Sequence, residues 1–142
     1  MTRADPIVAE ALAWCGTPFR HGASLRGAGA DCLGLVRGVW RAVHGAEPWV
    51  LPPYAALPQN PDEEQLENIL PQFLPLRRGA PQAGDVLLWR LHPQRPARHL
   101  GIALGGGRFI HAVAPEGVVV GHLTKPWMRR LCGVFVLAPI TE

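Results

Sequence analysis

Apolar residues in the first third of the chain recur at the three- and four-residue spacing of amphipathic helices. This pattern predicts a first helix that begins at Asp5, which can cap it, and ends at Gly16. A second helix is predicted from Cys32 to Gly45. The first helix should bury Ile7, Ala11, Leu12 and Cys15. The second should bury Leu35, Val36, Val39, Trp40 and Val43, with Cys32 on the same stripe at its start.

After Gly84 the pattern changes to short apolar runs that are typical of strands. Strands are predicted at residues 85–91, 99–104, 108–113, 117–123 and 131–137. Three glycines at 105–107 separate the second strand from the third and predict a hairpin turn. Because the helices come before an unbroken series of strands, we expect an α+β fold in which N-terminal helices pack on an antiparallel sheet of about five strands.

The segments between these elements are predicted to be less regular. Residues 17–31 form a glycine-rich loop, and residues 47–61 form a proline-rich segment. A short helix should follow at residues 62–70, with acidic residues in its first turn that complement the helix dipole. A chain of 142 residues without an internal repeat is expected to form a single domain over residues 1–142.

Composition and charge disfavour several functional classes. The chain is 48% apolar and 18% charged, as globular proteins are, and its net charge is +3. We expect no membrane span and no signal peptide, because no apolar run is long enough and the amino end lacks an apolar core. The protein is therefore expected to be cytoplasmic, or exported by a route that needs no signal. Scattered arginines disfavour nucleic-acid binding. The three cysteines lack zinc-type spacing, so we predict no metal and no cofactor.

A cysteine at the start of a helix is a candidate nucleophile. Cys32 occupies that position, where unpaired backbone N–H groups favour the thiolate over the thiol. Cys15, at the end of a helix, and Cys132, in an apolar run, are better explained as buried packing residues. Taken alone, Cys32 could also be a small buried side chain and nothing more.

A nucleophilic cysteine needs a base, and the base needs a group that orients it. His99 and His111 lie on the two strands of the predicted hairpin, toward the ends away from the glycine turn. One could accept the thiol proton while the other holds it in the correct tautomer, provided that the hairpin register puts both on one face. Of the other histidines, only His21, in the loop before Cys32, is a candidate for lining a cleft.

Three segments taken together resemble the NlpC/P60 family of papain-like cysteine peptidases. They are GTPFRHGA followed by GADCLGLVRGVW at residues 16–40, QAGDVLLWR at 82–90, and HLGIALGGGRFIHA at 99–112. The family has, in the same order, a G-T-P-Y stretch, D-C-S-G-L, a P-G-D strand and H-x-G-I followed by F-I-H-A. DCLGLVRGVWR at 31–41 further resembles the subgroup of cell-wall peptidases in the tails of prophages and gene transfer agents.

The resemblance implies a papain-like fold and hydrolysis of amide bonds in peptidoglycan stem peptides, often the bond between D-γ-glutamate and diaminopimelate. It matches Cys32 to the nucleophile, His99 to the general base and His111 to the orienting residue. The backbone N–H of Cys32 would help to hold the oxyanion. We predict that the substrate is contacted by Phe19, His21, Asp31, Trp49 and Tyr54.

The chain departs from the family pattern near the nucleophile. Phe19 stands where the family has a tyrosine whose hydroxyl reaches the site, His21 stands where many members have another aromatic residue, and Leu33 replaces a frequent serine. The missing hydroxyl leaves open a tail-tip module that binds partners with little or no turnover. An amidase or acyltransferase acting on another substrate would use the same three residues and is a third alternative.

The resemblance also implies partners and a setting. The ligands would be peptidoglycan stem peptides, and the protein partners would be components of a phage-like tail or baseplate. The lack of a signal peptide agrees with synthesis in the cytoplasm, followed by incorporation into a phage-like particle that acts in the periplasm.

Overall fold

A computed structural model describes residues 5–46 and 66–138 of the chain. In these ranges the helices are α1 Asp5–Ala13, α2 Cys32–His44, α3 Leu66–Ile69 and α4 Lys125–Arg129. A 3₁₀ turn, Leu70–Gln72, follows α3. The strands are β1 Ser24–Leu25, β2 Gly29–Ala30, β3 Val86–Trp89, β4 His99–Gly105, β5 Arg108–Val113, β6 Gly117–His122 and β7 Leu131–Phe135.

Strands β3 to β7 form one antiparallel sheet in the order β6-β5-β4-β3-β7. Helices α1 and α2 precede this sheet in the chain and pack against each other, and both contact β4. β1 and β2 form a separate small hairpin beside α2. The predicted α+β class, with N-terminal helices on a five-stranded antiparallel sheet, is confirmed.

The two faces of the sheet carry different side chains because neighbouring residues of a strand point to opposite sides. We call the side covered by α1 and α2 the helix face; on β4 it receives Leu100 and Ile102. We call the other side the α4 face. Its buried residues are Leu87, Trp89, Ala103, Phe109 and Val134, with Trp127 of α4 packed against them.

The second helix follows its predicted pattern closely. Leu35, Val36, Val39 and Trp40 are buried, and Val43 is partly buried against the same core. Gly45 ends α2 with a φ of 86°, and its N–H donates to the Arg41 carbonyl oxygen at 2.8 Å. A left-handed residue at this position is the usual end of a helix, and glycine adopts it without a steric penalty.

The first helix is shorter than predicted. It ends at Ala13, because the N–H groups of Trp14 and Cys15 donate to carbonyls three residues back and tighten the chain into a turn. Trp14 packs in the core and Cys15, in this turn, is exposed, while Leu12 is already exposed within the helix. The predictions that Leu12 and Cys15 are buried are therefore wrong. Asp5 already lies in the first turn of α1 rather than before it.

Two elements were not predicted, and one cysteine was placed wrongly. Residues 24–30, expected as an irregular loop, contain the β1–β2 hairpin. The five-residue helix α4 lies between β6 and β7. Cys132 is exposed on β7, the edge strand next to β3, so the prediction that it packs in the interior is also wrong. Of the short acidic helix predicted at 62–70, the described residues 66–69 are helical.

Candidate active site

Cys32 is the first residue of α2, and Asp31 immediately before it caps the helix. The Asp31 carboxylate accepts the N–H of Gly34 on Oδ1 and the N–H of Gly22 on Oδ2, each at 2.7 Å. The first bond satisfies a free donor of the helix terminus, and the second ties the preceding loop to the same carboxylate. The cap therefore fixes the loop and Cys32 relative to each other.

Gly34 allows the same loop to lie against the first turn of α2. A Cβ atom at Gly34 would stand 1.8 Å from the carbonyl oxygen of Ala23. That oxygen also accepts the backbone N–H of Asp31 at 3.3 Å. The glycine two residues after the cysteine is thus explained by a close approach of backbone to helix.

The thiol of Cys32 lies at the end of the sheet where β4 begins. Cys32 is 5% exposed, and its Sγ lies 3.6 Å from the carbonyl oxygen of Arg98. Arg98 directly precedes His99, the first residue of β4. The start of α2 and the start of β4 are therefore adjacent, although they belong to elements 66 residues apart in the chain.

The register of the β4–β5 hairpin brings the two predicted histidines together. The strands pair Ile102 with Ile110, and continuing this antiparallel register places His111 opposite Gly101. His99 and His111 are therefore diagonal neighbours on the α4 face. The Nε2 atom of His99 lies 2.8 Å from the Nδ1 atom of His111, which is a hydrogen-bond distance.

This hydrogen bond determines which nitrogen of His99 can act as a base. One of the two ring nitrogens must carry the proton and the other must offer a lone pair. When Nε2–H of His99 donates to Nδ1 of His111, the Nδ1 atom of His99 is left unprotonated and keeps a free lone pair. In that tautomer His111 orients the ring of His99.

Three aromatic side chains enclose the histidine pair on the α4 face. The ring of Trp127 lies 6.0 Å from that of His99 and 5.3 Å from that of His111. Phe109 lies 4.7 Å from His111, and Trp89 lies 5.5 Å from His99. The Nε1–H of Trp89 donates to the Trp127 carbonyl oxygen at 3.0 Å, so α4 is attached to the sheet at this point.

Burial lowers the pKa of both histidines. The pKa of His99 falls from 6.5 to about 4, chiefly because the ring is buried and secondly because a charge on His111 would repel its own. The pKa of His111 also falls to about 4 through burial, although the carboxylate of Glu116 acts in the opposite direction. Both rings are therefore neutral at pH 7, and a neutral His99 is able to accept a proton.

Cys32 and His99 line one open cleft of about 300 Å³. Its lining consists of Phe19, Asp31, Cys32, Leu91, His99, Ala112, Val113 and Ala114. Phe19 is half-buried and is held beside Ala30 by a β-bridge. The structure thus brings Cys32, His99, Phe19 and Asp31 together in one cleft. His111 is hydrogen-bonded to His99 on the α4 face.

The remaining predicted substrate contacts have other positions. His21 is exposed and is not among the side chains that line the cleft. Trp49 and Tyr54 lie outside the described residues. Asp31 lines the cleft, but each of its carboxylate oxygens already accepts a backbone N–H, so it has a structural role whether or not it contacts substrate.

Leu91 and Trp127 belong to this region, and the sequence analysis did not find them. Leu91 lines the cleft although it is 43% exposed, and nothing in a single exposed leucine indicates such a role. Trp127 had a detectable signal: Thr124, Lys125 and Pro126 form a typical helix start, with threonine at the N-cap and proline in the first turn.

The described residues contain no group of three histidine, cysteine or acidic side chains placed to hold a metal ion. Within residues 5–46 and 66–138, every helix is too short or too polar to cross a membrane.

A model of the NlpC/P60 family matches residues 16–136. The chain belongs to the NlpC/P60 family. The sequence-based assignment to this family of papain-like cysteine peptidases is confirmed. The finer assignment to the subgroup from phage and gene-transfer-agent tails stays a prediction.

Two curated relatives are similar to most of this NlpC/P60 chain. The gamma-DL-glutamyl hydrolase of Bacillus subtilis (strain 168) is 29% identical over 132 residues, covering 91% of this chain and 28% of that protein. The murein DD-endopeptidase MepS/murein LD-carboxypeptidase of Escherichia coli (strain K12) is 28% identical over 117 residues, covering 82% of this chain and 53% of that protein. The chain therefore spans about half or less of the length of these relatives.

Among solved structures, the NlpC/p60 domain of the peptidoglycan hydrolase SagA is similar over nearly its whole length. It has a TM-score of 0.61 and 31% sequence identity, and the match covers 93% of this chain and 97% of that domain. NlpC1 of Trichomonas vaginalis, at 17% identity and a TM-score of 0.65, shares the fold.

Proposed function

We propose that this NlpC/P60 protein is a cysteine peptidase that hydrolyses amide bonds in peptidoglycan stem peptides. Cys32 is the nucleophile, His99 the general base and His111 the residue that orients the base. One observation carries the proposal: a cysteine at a helix N-terminus shares a cleft with a histidine that is hydrogen-bonded to a second histidine. The murein endopeptidase and the peptidoglycan hydrolase among the relatives support the choice of substrate.

In the acylation step, Nδ1 of His99 takes the thiol proton while Sγ of Cys32 attacks the amide carbonyl carbon. The backbone N–H of Cys32 lies at the free end of α2 and stabilises the oxyanion of the tetrahedral intermediate. The C–N bond then breaks, and the His99 imidazolium gives its proton to the leaving amine. The acyl group remains on Cys32 as a thioester.

In the deacylation step, His99 takes a proton from water, and the resulting hydroxide attacks the thioester carbonyl carbon. The C–S bond breaks, the carboxylic acid product leaves, and the proton returns to the sulfur of Cys32. Throughout both steps, Nε2–H of His99 donates to Nδ1 of His111, which keeps the imidazole in one orientation and stabilises it when it is charged.

The low pKa of His99 favours one of two starting states. A thiolate–imidazolium pair would require His99 to be charged before substrate arrives, whereas burial keeps the ring neutral, with a pKa of about 4. We therefore propose that the proton moves from Cys32 to His99 during the attack and not before it.

The bond we propose is the one between D-γ-glutamate and diaminopimelate. The experiment is digestion of purified stem-peptide fragments by wild type, Cys32→Ala and, as a matched control, Cys132→Ala, with products read by mass spectrometry. We expect wild type and Cys132→Ala to cleave at this bond and Cys32→Ala to lose about 10⁴-fold or more in rate while keeping its circular dichroism spectrum. Turnover by Cys32→Ala at the wild-type rate would contradict the proposal.

Phe19 supports a second candidate, a tail-tip module with weak or no activity, because this cleft residue has no hydroxyl to offer a substrate or an oxyanion. The third alternative, an amidase or acyltransferase on another substrate, is separated by the same experiment, since its product would differ in mass.

The setting of the enzyme is proposed from the DCLGLVRGVWR segment alone. We propose that the protein is carried in a phage-like tail or baseplate and acts in the periplasm. Mass spectrometry of purified particles from the producing cells is the test, and particles that lack this chain would contradict it.

A further inference from the structure

We infer that a second pocket, adjoining the catalytic cleft across Leu91, binds a carboxylate on the leaving-group residue of the substrate. The inference rests on the proposed hydrolytic function, because it assigns one half of that substrate to a place on the protein. It adds Arg130, Trp127 and Pro126 to the residues that set specificity.

The pocket has a volume of about 180 Å³ and is lined by Leu91, Pro126, Trp127 and Arg130. Leu91 also lines the catalytic cleft, so the two cavities meet at this side chain. Trp127 connects them in a second way, since its ring lies 6.0 Å from that of His99. A substrate in the cleft can therefore extend past the base into this pocket.

The position of the leaving amine next to His99 decides which half of the substrate reaches the pocket. His99 must give its proton to the leaving amine, so that nitrogen has to lie within hydrogen-bond distance of the imidazole. The residue that bears the amine then extends from His99. The cavity beside His99, across Leu91, is the one that receives it.

The chemistry of the lining selects an aliphatic chain that ends in an anion. Leu91, Pro126 and Trp127 form apolar walls, and Arg130 supplies a guanidinium. A guanidinium binds a carboxylate through two parallel hydrogen bonds, which a neutral or cationic group cannot replace.

Arg130 is exposed, and one hydrogen bond directs its guanidinium. Its Nη1 donates to the Pro126 carbonyl oxygen at 3.1 Å, which folds the side chain back over α4. Within the described residues, no carboxylate forms an ion pair with Arg130. Residues 123–133 contain no acidic side chain, and Lys125 and Arg129 add positive charge nearby.

The test uses two synthetic γ-D-glutamyl peptides that differ only in the leaving residue. One has diaminopimelate, whose side chain ends in an amine and a carboxylate, and the other has lysine, which lacks that carboxylate. We expect wild type to cleave the diaminopimelate peptide with a kcat/KM about tenfold or more above that of the lysine peptide, as for a hydrogen bond to a charged group.

Arg130→Gln should bring this ratio close to one, with the loss falling on the diaminopimelate peptide. Arg129→Gln is the matched control: it removes the same charge from an exposed neighbour that does not line the pocket, and it should keep the wild-type ratio. A wild-type ratio near one would overturn the inference. So would a ratio that Arg130→Gln leaves unchanged, or one that Arg129→Gln lowers equally.

A binding measurement separates this inference from the proposed function. Cys32→Ala protein is titrated by calorimetry with diaminopimelyl-alanine and lysyl-alanine, which represent the leaving half and require no turnover. Tighter binding of the first peptide that disappears in the Cys32→Ala, Arg130→Gln double variant supports the pocket even if wild type hydrolyses neither substrate. Equal binding of the two peptides overturns the pocket even if wild type is an active peptidase.

Discussion

The helix face of the sheet is packed mainly by aliphatic side chains, with Trp14 and Trp40 among them, whereas the α4 face holds two histidines in contact with aromatic rings. Cys32 belongs to the first set, because it is buried in the same cluster as Leu35 and Leu100. His99 and His111 belong to the second. Cys32 approaches the second set where β4 begins, at the end of the sheet.

The two faces contribute different properties to the site: one the position of the Cys32 sulfur, the other the pKa of the histidines. The helix face fixes where the sulfur lies, through the Asp31 cap and the close contact at Gly34. On the α4 face, burial lowers the pKa of His99 and of His111, and Trp127 is one of the rings packed against them. Substitutions on the helix face should therefore mainly lower the free energy of unfolding. Substitutions on the α4 face should mainly change how kcat/KM depends on pH.

The largest expected effect is on the α4 face, in His99→Ala. Without its base, the enzyme should lose about 10³- to 10⁴-fold in kcat/KM on stem-peptide fragments. Alkylation of Cys32 should slow relative to the exposed Cys15 and Cys132, which mass spectrometry reads in the same sample. His122→Ala, an exposed histidine on β6, is the control. A loss of less than tenfold in His99→Ala would show that another group is the base.

Gly34→Ala tests the helix face. The added Cβ would stand 1.8 Å from the Ala23 carbonyl oxygen, so the loop must move, and we expect a loss of about 3 kcal/mol in the free energy of unfolding. Gly106→Ala is the comparison: its Cβ would meet nothing within 4 Å, so only its φ of 63° opposes alanine, at about 1–2 kcal/mol. Urea unfolding measures both, and equal losses would contradict the steric explanation.

Trp127→Ala tests whether burial by Trp127 keeps the pKa of His99 low. Burial is the main cause of the low pKa of His99, so exposing the ring should raise that pKa from about 4 toward 6.5. Because His99 must be neutral to accept a proton, activity is lost as pH falls through its pKa. The acid limb of kcat/KM should therefore move to higher pH by about one unit or more.

The control for Trp127→Ala is Met128→Ala, which truncates an exposed neighbour in the same helix. Its acid limb should coincide with that of wild type. An acid limb that stays in place in Trp127→Ala would show that α4 does not determine the pKa of the base.

The smallest expected effect is at Phe19, in the wall of the cleft. If the three catalytic groups are sufficient, Phe19→Tyr should raise kcat/KM by at most about tenfold, the value of one neutral hydrogen bond. Phe73→Tyr, which adds a hydroxyl outside the cleft lining, is the control. A rise of a hundredfold or more would favour the weakly active binding module instead.

The helix face was more predictable from the sequence than the α4 face. The buried stripe of α2 and the strand at residues 108–113 came directly from local periodicity. The pairing of His99 with His111 depends on the register of a hairpin, which no local pattern determines. The sequence therefore identified both histidines as candidates without placing them on one face.

Short elements and the solvent exposure of single side chains account for the other features that the sequence did not predict. Five residues of α4 are too few to display a helical period, so only the helix start at Thr124 and Pro126 could have indicated it, and the contact of Trp127 with the histidines depends on the three-dimensional fold. Cys15 was placed inside because the helix was extended by two residues beyond Ala13, which rotates each following side chain to another side. The roles of Trp49 and Tyr54 stay predictions, since these residues lie outside the described ranges.

The order of the strands also affects when the protein becomes active during its synthesis. β7, the last of the described strands to be translated, pairs with β3, and α4 is made just before it. A growing chain thus contains the thiol of Cys32 well before Trp127 can enclose the base. We expect ribosome-bound chains that end before α4 to lack the complete sheet on which His99 and His111 meet, so that Cys32 and the two histidines come together only late in synthesis.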